Sequence, residues 1–349
     1  MLNIIEERLR PSQRMFLDFD LNTSIVVDGL PLSGKTTLAL YTVKRLHSQG
    51  LSSIFIAPSS LSLKYLARLS KLLGINDFQC DTLQHYLNWD SSREYDYVVL
   101  DDSHLYSLTQ LEQLKHKGKY FLLFGNYSHP CTDYYYLGSD RLSDQELPPL
   151  RGVLDCFDSR LFRLEIPLQK VYSQLMPWYK PELMHWSGYD IDVMRIAPLV
   201  RVIKTESLRE QCLYIKKRIE ESESPTCIAA YTRKQVFEAL DIFRELGMDI
   251  SAYLPGRDGV DLVNIESGYP LLTTIKSLVG LHFEDAYFLS FDSSVVKYNN
   301  VELYEIAITR AAYRVAFFYV KSIAEPIASL PNELFSFRDT TEKTSSMLF

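Results

Sequence analysis

The sequence predicts an α/β protein built as two units, each a mainly parallel sheet flanked by helices. Short apolar runs alternate with helical patterns along most of the chain, the rhythm of strands joined by crossover helices. The 349 residues are about twice the usual size of one domain. Hydrophobic residues make up 46% and charged residues 23%, ample for two packed cores and ordinary for a folded chain.

In the first half, apolar runs at 24–28, 53–57, 97–101, 120–124 and 162–166 read as strands. The stretch 35–49 reads as a helix, with Leu38, Leu40, Tyr41, Val43 and Leu46 on one broad apolar face before the stop at Gly50. Residues 131–151 carry three consecutive tyrosines, several acids and Pro148 followed by Pro149, the composition of a long surface connection. In the second half, strands are expected at 198–204, 226–231, 249–254, 270–275, 286–290 and 315–320, with helices at 208–221, 234–246 and 301–311. This divides the chain into a first domain (1–166), a junction containing Trp178 and Trp186 (167–196), a second domain (197–335) and a polar, flexible tail (336–349).

Composition narrows the setting. No apolar run approaches the roughly 18 residues of a membrane span, and charges stand where a secretory signal has its apolar core, so neither membrane insertion nor export is expected. Cys80, Cys131, Cys156, Cys212 and Cys227 are odd in number and scattered, which suits free thiols in a reducing cytoplasm. The seven histidines form no zinc spacing. A net charge of −7 argues against a dominant basic footprint for nucleic acid while leaving room for a local basic groove.

The most specific pattern is G-x-x-x-x-G-K-[ST], met by Gly29, Gly34, Lys35 and Thr36 between an expected strand and an expected helix. Glycines let backbone N–H groups wrap an anion, and the helix N-terminus adds partial positive charge. The pattern implies a nucleoside triphosphate, ATP, held by Gly29, Ser33, Gly34, Lys35, Thr36 and Thr37. Lys35 supplies charge to the β- and γ-phosphates, and the Thr36 hydroxyl ligates Mg²⁺. The apolar run ending at Leu100 delivers Asp101 and Asp102 to a strand end. Asp101 is the expected metal-side carboxylate, and Asp102 the candidate to polarise the attacking water.

These motifs resemble the UvrD-like superfamily 1 helicases and translocases over most of residues 9–320. The resemblance implies two RecA-like (P-loop NTPase) domains with ATP bound between them. The run from Leu9 to Gln13 resembles the family's Q motif, which would put Gln13 on the adenine. Residues 54–60 and 81–85 resemble the motifs that touch single-stranded DNA or RNA, implicating Ser59, Ser60, Thr82 and His85. Residues 273–283 resemble motif V, implicating Thr274 and Lys276. Residues 305–311 resemble motif VI, which implies that Arg310 reaches the γ-phosphate and stabilises charge there. Arg233 follows a strand resembling one of the second domain.

Departures from the family pattern are concentrated at the chemistry. Asp102 replaces a glutamate and is shorter by about one carbon–carbon bond, enough to disturb in-line water activation. Asn126 and His129 stand where motif III carries aspartate and glutamine, Gln169 and Lys170 near an expected arginine, and Val279 and His282 at motif V positions. The resemblance therefore implies an ATP-dependent translocase or helicase-like ATPase on single-stranded nucleic acid. The departures keep open an ATP-binding switch of weak or no hydrolysis that engages a protein partner. A small-molecule kinase would share the loop but not the Thr309–Arg310 segment.

Overall fold

The computed structural model describes residues 9, 11–29, 33–88, 93–114, 116–127, 153–155, 166–175, 200–222, 224–254, 270–296 and 301–340. Two compact units emerge, Met1–Arg163 with Val279–Leu281, and Leu164–Leu278 with His282–Phe349. Each is α/β with one parallel sheet flanked by helices.

The first unit contains strands β1 (Ile25–Asp28), β2 (Ser53–Ala57), β3 (Cys80–Thr82), β4 (Tyr95–Leu100), β5 (Gly118–Gly125) and β6 (Val153–Asp155). Their order is β3-β2-β4-β5-β1-β6, and every pairing is parallel. Helices α1 (Pro11–Asp18), α2 (Lys35–Ser48), α3 (Ser60–Leu72), α4 (Leu83–Asn88) and α5 (Leu108–Leu114) accompany them. Alternate strand residues enter two different cores. Ile25, Val27, Phe55, Val99 and Phe124 pack with Leu38, Ala39, Val43 and Leu46 of α2. Val26, Ile54, Ile56, Val98, Leu100 and Leu123 face the other way, with Leu83 and Tyr86 of α4. A sheet buried on both faces explains why these strands read as unbroken apolar runs rather than alternating ones.

The second unit contains α6 (Ile166–Leu175), β7 (Val200–Lys204), α7 (Leu208–Glu220), β8 (Thr226–Ala230), α8 (Arg233–Glu245), β9 (Ser251–Ala252), β10 (Leu271–Thr274), β11 (Phe283–Leu289), α9 (Val301–Thr309), β12 (Ala311–Tyr319) and β13 (Ser336–Asp339). The strand order is β13-β7-β12-β11-β8-β10-β9, again parallel throughout. Cys212 and Ile215 of α7, with Val236, Leu240 and Phe243 of α8, cover one face over Ile228, Leu272, Tyr287 and Phe318. On the other face Phe288 stacks on Phe317 at 5.2 Å, and Phe291 packs edge-on against Tyr304 of α9 at 5.5 Å.

Several expected boundaries change. The tail expected from 336 onward begins instead as β13: Phe337 and Arg338 pair with Val202 and Ile203, and Asp339 meets Lys204 at 2.8 Å. Its composition is polar because it is an edge strand, with Phe337 and Arg338 exposed. Ile166, expected to end a strand, begins α6, so part of the expected junction is helical. Tyr172 on α6 donates to Glu305 on α9 at 2.9 Å. The strand expected at 249–254 is reduced to β9, and β12 starts four residues before the expected 315. The expected connection at 131–151 and strand residues 162–165 lie outside the described residues.

Near the start of β11 and β12, Asp285 is buried and receives both Nε (2.8 Å) and a terminal nitrogen (2.6 Å) of Arg314. Burial pushes the Asp285 carboxyl up, and the Arg314 guanidinium only partly opposes this. We expect Arg314→Met to destabilise the fold by roughly 3 kcal/mol, at the low end for buried pairs because Arg314 keeps partial exposure. A raised folded-state pKa contributes stability below the unfolded carboxylate pKa and loses it as pH rises through the folded value. Without Arg314 that value climbs further, so the defect should be largest near neutrality and shrink below about pH 4. Denaturant titrations across pH test this, and a defect independent of pH would refute it.

Candidate functional site

The loop after β1 is built around a left-handed glycine. Gly34 caps α2 with φ 92° and ψ 17°, a conformation that glycine adopts without steric cost. Space imposes the same choice, because a Cβ at Gly34 would lie 2.7 Å from Gln13 Nε2. Gln13, buried on α1, donates that amide to Ser33 O at 3.3 Å. The α2 N-terminus has no side-chain cap, and a helix N-terminus carries partial positive charge that favours an anion. Lys35 is buried and donates to Gly29 O at 2.7 Å, closing the loop on itself. The buried Ser33 hydroxyl has no hydrogen-bond partner among the described residues. Thr37, the third residue of α2, is half-buried.

The carboxylates arrive from β4. Thr36 Oγ1 donates to Asp101 Oδ1 at 3.1 Å, joining residues 65 positions apart. Asp101 is buried, and burial first, then the neighbouring Asp102 charge, pushes its carboxyl up. The Thr36 hydroxyl and the Lys35 ammonium pull the other way without cancelling the effect. Asp102 has φ 44° and ψ 42°, a left-handed conformation that is uncommon outside glycine and costs energy unless its surroundings hold it. Asn126, just past β5, donates its backbone N–H to His104 Nδ1 at 3.2 Å, while its buried Oδ1 has no partner among the described residues.

The structure thus brings together Gln13, Gly29, Ser33, Gly34, Lys35, Thr36, Asp101 and Asp102 at the carboxyl ends of β1 and β4. A hydroxyl and a carboxylate at 3.1 Å are hard oxygen donors suited to a small divalent cation. Among the described residues no three His, Cys, Asp or Glu side chains cluster as a metal cage.

The residues expected to touch nucleic acid divide into two groups. Ser59, Ser60, Thr82 and His85 follow the carboxyl ends of β2 and β3, which pair at Ala57 and Thr82. Several have local structural work. Ser59 caps α3 by accepting from Ser62 N at 3.1 Å, Thr82 accepts from His85 N at 3.4 Å, and His85 pairs with Asp81 at 2.7 Å. Ser60 is exposed at the first position of α3.

Thr274 and Lys276 belong to the second unit. Thr274 is buried against Ser277 Oγ at 2.8 Å, and Lys276 is exposed in the following turn. Arg310, also in the second unit, donates to Thr309 Oγ1 at 2.9 Å and to Leu278 O at 3.5 Å. Arg233 is exposed at the start of α8, between the Thr232 and Gln235 of its capping box. His129 and the side chains of Gln169 and Lys170 lie outside the described residues. Asp28, which accepts from Tyr127 N at 2.8 Å, was not anticipated. Its signal was an apolar strand ending in an acid, the same pattern that singled out Asp101.

Fold and site define an α/β protein whose first unit gathers a G-x-x-x-x-G-K-T loop and two acids on one sheet rim. No helix among the described residues is long and apolar enough to cross a membrane. No family model and no curated protein matches the sequence. Among solved structures, the C-terminal domain of a possible DNA helicase from Lactobacillus plantarum WCFS1 is similar at 13% identity, over 42% of this chain and 88% of that one, with a TM-score of 0.33.

The backbone at Asp102 makes a stability prediction independent of any ligand. Asp102→Gly should leave unfolding free energy within about 0.5 kcal/mol or raise it, whereas Asp102→Val should cost about 2 kcal/mol. Urea denaturation of both variants decides it. Equal effects would mean that the left-handed turn carries no strain.

Proposed function

We propose that this protein is an ATP-dependent, helicase-like ATPase or translocase acting on single-stranded nucleic acid, with two RecA-like domains. The observation that carries the reading is the Thr36–Asp101 contact at 3.1 Å, which sets the loop hydroxyl against the carboxylate of a different strand, with Lys35 in the same loop. The resemblance of residues 273–283 and 305–311 to motifs V and VI supports extending the reading from nucleotide binding to a motor.

In this reading Lys35 exchanges its bond to Gly29 O for the β- and γ-phosphate oxygens. The loop N–H groups and the α2 N-terminus hold the remaining phosphate charge. Thr36 and Asp101 hold Mg²⁺, which when bound supplies charge neutralisation at the phosphates. Cationic charge there favours ionised Asp101, against the burial that raises its pKa. Asp102 orients the attacking water, Gln13 contacts the adenine, and Arg310 stabilises charge on the γ-phosphate. Ser59, Ser60, Thr82, His85, Thr274 and Lys276 contact the strand.

One observation favours a second reading. Asp102 stands in a left-handed turn at φ 44°, and its shorter side chain is a poor substitute for glutamate in placing water, which suits an ATP-binding switch that recognises a protein partner.

ATP turnover with and without single-stranded DNA or RNA separates the two. For the motor we expect several-fold stimulation by the strand, loss of turnover in Lys35→Ala, and a fall of roughly 10³ in Arg310→Ala with ATP binding retained. Tight ATP binding with background turnover on every strand would leave the switch. No ATP binding would refute both.

A further inference from the structure

The acid pair is held from the far side by a tyrosine that neither the loop nor the resemblance singles out. Tyr127, two residues past the end of β5, is buried at 6% exposure. Its backbone N–H donates to Asp28 Oδ1 at 2.8 Å, and its hydroxyl donates to Ser103 Oγ at 2.6 Å. Asp28 is the last residue of β1, immediately before Gly29, and Ser103 immediately follows Asp102. A second bond runs alongside, from Asn126 N to His104 Nδ1 at 3.2 Å, and the His104 and Tyr127 rings meet edge-on at 6.3 Å.

This arrangement requires a glycine at 125. A Cβ there would lie 2.5 Å from Tyr127 Cε2 and 3.0 Å from Ser103 Oγ. The ring therefore folds back across the end of β5 to reach the turn after β4, and only a residue without a side chain lets it pass. One phenol-bearing residue thus ties together the ends of β1, β4 and β5, the three strands that carry the loop, the acids and Asn126.

We propose that Tyr127 and Ser103 are positioning residues for Asp102: their hydrogen bond, with the adjacent His104–Asn126 bond, holds Asp102 in its left-handed turn and fixes the acid pair relative to the loop. A residue at φ 44° relaxes when its flanks are free, and two residues directly after it are pinned to a strand that is itself pinned to β1. Loss of the phenol hydroxyl removes the pin while leaving the ring and its packing. This inference rests on the nucleotide-binding reading of the loop.

The test compares wild type, Lys35→Ala, Tyr127→Phe, Ser103→Ala, the Tyr127→Phe/Ser103→Ala double variant and Ser103→Thr. Binding is read with a fluorescent ATP analogue and steady-state turnover with ATP. The expected result is a fall in kcat of about tenfold in each single variant, the scale of one lost hydrogen bond that positions Asp102. The KM for ATP should stay within about twofold, since the phosphate contacts are untouched. The double variant should be no worse than either single one, and Ser103→Thr, which keeps the hydroxyl, should recover most of the rate.

Unchanged kcat in Tyr127→Phe, or losses that multiply in the double variant, would overturn the proposal. Where wild type binds ATP without turning it over, the readout becomes the Mg²⁺ concentration needed for binding. A rise of about tenfold in Tyr127→Phe supports the proposal, and no rise overturns it. Absence of analogue binding in wild type, with Lys35→Ala indistinguishable, would remove the nucleotide reading and this inference with it.

Discussion

Parallel pairing throughout the first sheet puts the carboxyl end of every strand on one rim, and the geometry of the site follows from that. A parallel ladder needs a crossover between successive strands, so the chain returns to the same rim after each helix. Gly29, Ser59, Thr82, Asp101 and Asn126 stand at or just past the ends of five different strands, yet all emerge on one side. The Thr36–Asp101 contact at 3.1 Å spans 65 positions of sequence and needs no special local structure. It needs only that β1 and β4 run the same way. The crevice beyond the carboxyl ends is where open α/β sheets bind ligands.

The same architecture creates an electrostatic imbalance. Strands buried on both faces bring Asp101 to a dry strand end, where burial and Asp102 together disfavour its charge. Lys35 and the Thr36 hydroxyl oppose this incompletely, and Lys35 spends its nearest hydrogen bond on Gly29 O at 2.7 Å. An acid raised in pKa in this way gains from any cation placed against it. The unpartnered Ser33 hydroxyl and Asn126 Oδ1 at the same rim are further polar atoms with hydrogen-bonding capacity unused among the described residues. An anionic ligand that brings a cation with it is what we propose for this rim.

How much of this was legible in the sequence depended on whether the signal was local. Strands β1, β2, β4, β5, β7 and β8 declared themselves because burial makes each an apolar run, and α2, α7 and α8 because one face repeats with the helical period. The turn at Gly34 was legible because its positive φ is written in the residue type. Contacts that depend on the third dimension were not. The cap that Ser59 gives α3 was not anticipated, and Ser336 looked like the start of a tail but opens an edge strand secured by pairing to β7. Short strands such as Cys80–Thr82 and Val153–Asp155 offer too few residues for a periodic signal. Tyr127 was one tyrosine among 23, and only the closeness of its ring to Gly125 sets it apart.

Asp102 shows why a difference from the pattern that a sequence resembles cannot be weighed by side-chain length alone. Read from sequence, aspartate in place of glutamate shortens the reach to water and predicts slow chemistry. The structure adds that its backbone is left-handed, a conformation Asp tolerates better than most because its short polar side chain can satisfy nearby backbone groups. Residue and backbone therefore belong together. A glutamate placed on the same backbone would extend the carboxylate while losing the residue type that suits the turn, and with Ser103 and His104 pinned the turn has little freedom to relax. The acid's reach is set jointly by its length and by the turn that aims it.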